Sequence, residues 1–316
     1  MPVPRTTLAD CTISADAPYE EILDLLKLRG GIVVKGLVSE DDCKKVHADL
    51  KPYLEEVGKR SKWEGSFFPS TTHKIAGLIT KSPAYAHTML VNPTILQIAR
   101  DVLSVRSQLA FARPRKWSTA MPNVNSTGIL EIHPGSKAQE LHRDDALYHN
   151  ILPRADVWTK EREVSILNFV ALSKVTAENG GTCFIPGSHL WGEYDELPGA
   201  DHPDLLKAEM DVGDTFIMLC STWHGGGHNQ AVPGSPNSVR TLCQIGFVRG
   251  YLRQEENQAI VLDQDVLKTY PRLIQELAGW NVSLPMCGWT DFGHPLNRLG
   301  HDIPDSDGLF YDEDQL

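Results

Sequence analysis

The chain has 316 residues, 41% of them hydrophobic and 22% charged, a globular balance that excludes disorder, collagen-like repeats and coiled coil as whole-chain descriptions. Lys plus Arg total 30 against 41 Asp plus Glu, and a net charge of −11 repels phosphate backbones, so nucleic acid is excluded as a default partner. No run of 18 apolar residues occurs, so no membrane partner is expected.

In chain order, residues 1–104 are predicted to be mainly helical. Asp16 and Pro18 signal a helix start, Ile22, Leu25 and Leu26 share one face, and Gly30-Gly31 ends the helix. Ile32–Val34 reads as a short strand. Ser39, with Asp42 three residues on, resembles a capping box that opens a helix through Val46, Leu50 and Leu54. The stretch Trp63–Phe68 with Ser70–Lys74 mixes aromatic and polar residues. It suits either a lid over an apolar ligand or a surface loop that tucks its Phe side chains into the core. Asn92-Pro93 starts a further helix with Ile95, Leu96, Ala99 and Leu103 inward.

From 105 to 255 short apolar runs alternate with Gly, Pro and Asn: Gly128–Ile132, Val164–Leu172, Thr182–Ile185, Asp214–Leu219 and Val239–Phe247. That spacing suggests a β-sandwich or barrel. Residues 256–316 return to a helical pattern over 265–280, broken near Pro271, and then to a Gly/Pro-rich tail. With no repeat and no linker, residues 1–316 read as a single domain with helices around a double-layered β core. The six cysteines (Cys11, Cys43, Cys183, Cys220, Cys243, Cys287) form no CxxC pair, which excludes zinc-ribbon and thioredoxin-like sites and suits reduced thiols. No apolar signal segment opens the chain, so a cytoplasmic protein is expected.

The most informative segment is Gln139-Glu-Leu-His-Arg-Asp-Asp145. On an extended strand His142 and Asp144, two apart, point to one face and can reach one metal ion. A third ligand would complete the two-histidine, one-carboxylate face of a non-haem Fe(II) oxygenase, with positions left for a co-substrate and O₂. Gly213-Asp214 turns into an apolar strand that leads to Trp223-His224-Gly-Gly-Gly227, where glycines permit close backbone approach. His228, four residues later, is the rival to His224. Arg240 opens an apolar run as an isolated cation, and a buried Arg without a carboxylate needs an anion such as a dicarboxylate co-substrate. His133 and His149 read as loop or pocket residues, and His189 as a turn support. Arg115, Trp117 and Asn123 are further candidates for lining a pocket.

This ordered set resembles the phytanoyl-CoA dioxygenase family of Fe(II)/2-oxoglutarate oxygenases, and within it the fungal secondary-metabolite tailoring branch. The resemblance is carried by Ala138-Gln-Glu-Leu-His-Arg-Asp-Asp145, Ala177-Glu-Asn-Gly-Gly-Thr182, Pro186-Gly-Ser-His189, Gly213-Asp214, His224 and Arg240, and it runs from about residue 18 to 280. It implies a mainly β fold with flanking helices around a double-stranded β-helix (jelly-roll, cupin-like) core. It implies iron ligands at His142, Asp144 and His224, and 2-oxoglutarate contacts at Arg240, Thr182 and Gln139. Thr182 also reads as a plain strand residue and Gln139 as a plain loop residue. The cofactors implied are Fe(II), 2-oxoglutarate and O₂, with release of succinate and CO₂. The partner implied is a small, largely apolar natural product such as a terpenoid, meroterpenoid or alkaloid, and a homodimer is the one assembly considered. The chain departs from the family's namesake in showing no basic patch for the phosphates of a CoA ester. Two other readings stand beside this one: a jelly-roll metalloenzyme that does not use 2-oxoglutarate, and a non-catalytic binding protein on the same fold.

Overall fold

The structure, a computed structural model, describes residues 5–60, 70–110, 114–193 and 197–304, with the side chains of 58–60 excepted. Strand β1 (Thr12–Ser14) runs parallel to β2 (Gly31–Lys35), and helix α1 (Tyr19–Arg29) is the crossover that parallel neighbours require. The helix buries Ile22, Leu23 and Leu26. Leu25, expected inward, is only half-buried, and Pro18 rather than Asp16 holds the cap position. Gly30 closes the helix in the left-handed region at φ 76°, where a side chain would be strained. Helix α2 (Glu40–Arg60) opens as the Ser39/Asp42 pair predicts. Ser39 Oγ accepts the Asp42 N–H at 3.1 Å and donates its proton to Asp42 Oδ2 at 2.7 Å. Val46, Leu50 and Leu54 are buried along it.

Next comes β3 (Thr72–Ala76), a strand in place of the expected loop; Trp63–Phe68 lie outside the described residues. Helices α3 (Leu78–Lys81) and α4 (Pro93–Leu103) follow. Asn92 Oδ1 caps α4 by accepting from the N–H groups of Thr94 and Ile95, and α4 buries Ile95, Leu96, Ala99 and Leu103. The remaining strands are β4 (Val105–Gln108), β5 (Trp117–Ala120), β6 (Asn123–Ile132), β7 (Ser165–Ala171), β8 (Thr182–Phe184), β9 (Leu206–Ala208), β10 (Thr215–Leu219), β11 (His224–Gly225) and β12 (Arg240–Val248). The chain ends in α5 (Gln258–Val261), α6 (Gln264–Leu267) and α7 (Arg272–Leu277). Pro271 separates the last two, as its fixed φ and missing N–H demand.

The major sheet has the order β1-β2-β10-β7-β12-β6-β3, and a minor sheet the order β11-β8-β9. Between the two layers Val33, Leu167, Phe169, Phe184, Met210, Phe216, Met218 and Leu242 form a contiguous buried core. This is the expected jelly roll. The residues group into two compact units, one of 1–76 with 128–244 and the other of 77–127 with 245–316, and the boundary falls inside β6 and β12. All the candidate iron and co-substrate residues belong to the first unit. Cys11, Cys43, Cys183, Cys220 and Cys243 are buried free thiols, and Cys287 is exposed. Among the described residues no helix is long and apolar enough to cross a membrane.

Candidate metal centre and co-substrate pocket

His142 and His224 are joined by their own backbones. The His142 N–H donates to His224 O at 2.8 Å and the His224 N–H to His142 O at 2.9 Å, an isolated antiparallel bridge. Partners in such a pair project their side chains to the same side, and the two rings lie 4.4 Å apart between centroids. Asp144, two residues beyond His142, completes the cluster. His142 Nε2 lies 3.5 Å from Asp144 Oδ1, and His224 Nε2 lies 3.4 Å from Asp144 Oδ2. Such spacings allow one ion to sit about 2 Å from all three donors.

The donor chemistry fits a metal. His142 Nδ1 is 2.8 Å from Glu140 O, and His224 Nδ1 is 3.1 Å from Thr222 O. A carbonyl only accepts, so each Nδ1 carries the proton and each Nε2 is the lone-pair nitrogen aimed at the cluster. Burial and the neighbouring His224 push His142 below the usual histidine value. Burial acts on His224 in the same sense, but Asp144 outweighs it and raises that ring. Burial would raise Asp144, and His224 overrides it and lowers the carboxyl. His228, the rival ligand, is exposed and pairs through Nδ1 with Gln230 Nε2 at 3.1 Å.

Arg240 is the first residue of β12 and shares a face with Leu242, which packs in the core between the sheets. The guanidinium is therefore held inside the jelly roll. Its Nε and Nη1 reach no hydrogen-bond partner among the described residues, and burial lowers its pKa to about 10. A cation left so poorly matched in a dry interior fits a carboxylate supplied from outside the chain. His224 pairs across the minor sheet with Phe184, another core residue, and Thr182 lies two residues from Phe184 on the same face. The structure thus turns Arg240, Thr182 and His224 toward one interior. Gln139 is engaged with the glycine run: its Oε1 accepts the Gly226 N–H at 2.7 Å, and its N–H donates to Gly226 O at 2.9 Å. Glycines 225–227 serve close packing. A Cβ on Gly227 would lie 2.5 Å from Gly181 O.

The other candidates have different partners. Arg115 is exposed, Trp117 stacks under the Arg106 guanidinium at 4.6 Å, and Asn123 exchanges hydrogen bonds with Gly250 and Asn281. His149 adopts a left-handed turn conformation (φ 53°). His189 supports a turn, as expected, with Nε2 2.9 Å from Lys27 O; burial lowers its pKa to about 4.

Comparison with known proteins agrees with this geometry. The sequence pattern described as phytanoyl-CoA dioxygenase (PhyH) matches residues 26–231. The chain belongs to the phytanoyl-CoA dioxygenase family. Dioxygenase cnsJ of Penicillium expansum is 34% identical over 283 residues, covering 89% of this chain and 82% of its own. Dioxygenase peniF of Penicillium patulum is 31% identical over 295 residues, covering 92% of each. Among solved structures, HygX from Streptomyces hygroscopicus with nickel and 2-oxoglutarate bound superposes with a TM-score of 0.54. It is 17% identical and covers 75% of this chain and 90% of its own. That likeness establishes the shared fold. The chain is a non-haem iron, 2-oxoglutarate-dependent dioxygenase by class.

The sequence reading missed what steadies this dioxygenase's ligand loop. Arg143 forks onto Asp145, Nε to Oδ1 at 3.0 Å and Nη2 to Oδ2 at 2.7 Å, and Asn150 Nδ2 donates to the same Oδ2 at 2.8 Å. Asp145 is wholly buried, and burial raises its carboxyl despite Arg143. Arg143 and Asp145, the second and fourth letters of His-Arg-Asp-Asp, were the available signal. Glu163 is also wholly buried; it takes hydrogen bonds from Ser221 Oγ and Trp158 Nε1, and burial raises its pKa to about 7.

Proposed function

We propose that this dioxygenase holds Fe(II) on His142, Asp144 and His224 and oxidises a C–H bond of a small, largely apolar natural product such as a terpenoid, meroterpenoid or alkaloid. The observation that carries the co-substrate assignment is Arg240, a buried guanidinium with two unmatched N–H groups facing the same interior as His224. It binds the distal carboxylate of 2-oxoglutarate as a fork, and Thr182 adds a hydroxyl contact. The Gln139 side chain fixes Gly226 and so holds the strand that carries His224. Bound iron with 2-oxoglutarate supplies the oxidising chemistry, consuming O₂ and giving succinate and CO₂ as one oxygen atom reaches the substrate in the default hydroxylation.

The apolar character of the substrate rests on the segment that follows Asp144 in the chain. Leu147, Ile151 and Val157 are exposed at 58%, 64% and 71% within thirteen residues of Asp144. Such side chains lose water when an apolar ligand covers them. The net charge of −11 also disfavours a phosphorylated carrier. The test is anaerobic addition of Fe(II) and then 2-oxoglutarate, read by the visible charge-transfer band of the chelate, followed by O₂ and assay of succinate. Appearance of the band and succinate release support the reading. Fe(II) binding without either would refute the role of 2-oxoglutarate.

A further inference from the structure

The edge of the major sheet carries a second set of donors that the dioxygenase chemistry does not use. His73 on β3 is the cross-strand partner of Glu131 on β6. His133 follows two residues on, and its N–H donates to Thr71 O at 3.0 Å, so the ladder continues past the end of β6. Cross-strand partners and residues two apart share a face. Leu130, adjacent to Glu131, packs against the core between the sheets. The cluster therefore occupies the other face of the major sheet. Its side chains are partly covered, with exposures of 20% for His73, 19% for Glu131 and 33% for His133.

The three donor atoms form a closed triangle. Glu131 Oε1 lies 2.7 Å from His133 Nε2 and 3.2 Å from His73 Nδ1, and the two nitrogens are 3.2 Å apart. Protons alone do not satisfy it. If both nitrogens carry hydrogen, both donate to Glu131 and two N–H groups abut each other. If only one does, two lone pairs face each other along another edge. A cation inside the triangle satisfies all three edges at once. Bonds of 2.0–2.1 Å to a tetrahedral ion set its donors about 3.3 Å apart; the two 3.2 Å edges are close to that, and the 2.7 Å edge would open on binding. The hydrogen bond from His133 holds the Glu131 carboxyl below its usual range, so the carboxylate brings a negative charge to the ion.

We propose that His73 Nδ1, Glu131 Oε1 and His133 Nε2 form a second metal site, for a divalent transition ion of zinc type, on the outer face of the major sheet and apart from His142, Asp144 and His224. Three protein donors leave the fourth tetrahedral position to water. The ion joins the edge strand β3 to β6 and so clips the sheet margin.

Zinc binding to metal-stripped, full-length protein is measured by equilibrium dialysis and elemental analysis, with circular dichroism confirming the fold of each variant. Wild type is expected to bind two equivalents and His133→Ala one. The double variant His142→Ala/His224→Ala, in which the first site is disabled, is expected to keep one equivalent and to lose it when His133→Ala is added. Cobalt(II) in that double variant should show the visible bands of a tetrahedral ion. Glu131→Gln, which keeps the side chain's shape, should weaken its binding at least about tenfold. Zinc should raise the thermal midpoint of the double variant and not that of the variant also lacking His133. The proposal is overturned if the double variant binds no zinc at micromolar free metal, or if His133→Ala and Glu131→Gln leave stoichiometry and affinity unchanged.

Discussion

Replacing Arg240 by Met should separate stability from co-substrate binding. Met fills much of the same volume without charge. Burial drops the Arg240 pKa from 12.5 to about 10, a shift worth roughly 3 kcal/mol against the charged form. The sign follows from the direction. A base whose folded pKa lies below its unfolded value is destabilised at every pH below about 10, so the cost is constant across any neutral assay. Apo Arg240→Met should therefore be as stable as wild type or more so. Co-substrate binding should move the other way. Two charged hydrogen bonds at about 1.5–3 kcal/mol each predict that 2-oxoglutarate affinity falls about a hundredfold or more. Arg240→Lys keeps the charge without the fork and should fall between. Thermal melts of the apo protein and anaerobic titration of the Fe(II) form with 2-oxoglutarate read the two effects separately. A folded Arg240→Met variant with 2-oxoglutarate affinity within a few-fold of wild type would refute the anchor. A large loss of apo stability would refute the claim that the cation is mismatched before ligand arrives.

His224→Ala should abolish iron binding and turnover while His228→Ala leaves both near wild type; the reverse pattern would relocate the ligand. Iron affinity should weaken below about pH 6, because protons compete for the Nε2 atoms of His142 and His224, and a flat profile between pH 5 and 7.5 would contradict a two-histidine site. Glu163, with its folded pKa raised to about 7, binds its proton more tightly in the native state, so stability should fall by roughly 3 kcal/mol as pH rises from about 4.5 to 7. In melts at pH 5 and 8, Glu163→Gln should remove that component, and an identical pH dependence in both proteins would exclude Glu163 as its source. Gly227→Ala brings a Cβ to 2.5 Å from the Gly181 carbonyl and should cost about 1–3 kcal/mol with loss of iron affinity; a variant with wild-type melting and iron content would show that the strands can move apart freely.

The jelly-roll strands that carry the site were legible because both their faces are buried and their sequences are apolar, as in Ser165–Ala171 and Thr215–Leu219. The cluster of His142, Asp144 and His224 was legible because its chemistry is unusual and its spacing ordered. Strand β3 was not, since Thr72, His73 and Lys74 interrupt any apolar alternation and the strand is defined by its partner β6. Strand β9, three residues long, is likewise defined by its pairing with β8. Leu23 rather than Leu25 faces the core because α1 is rotated by its packing, which periodicity over one short helix does not resolve. The Arg143–Asp145 fork and buried Glu163 were missed for a related reason. A charged residue in a polar stretch looks solvated until the fold closes over it.

The reciprocal backbone bonds between His142 and His224 make the metal centre a gauge of strand register. Side chains alternate along a strand, so a slip of one residue in this pairing would turn both His142 and Asp144 away from His224 together. Only the native threading of residues 142 and 224 brings these three donors together, so metal held there would favour that threading over its near neighbours. With the proposed ligands, iron would serve as a proofreader of chain alignment as well as a reagent. Refolding in the presence of metal should sort correctly threaded molecules from slipped ones before any substrate is met.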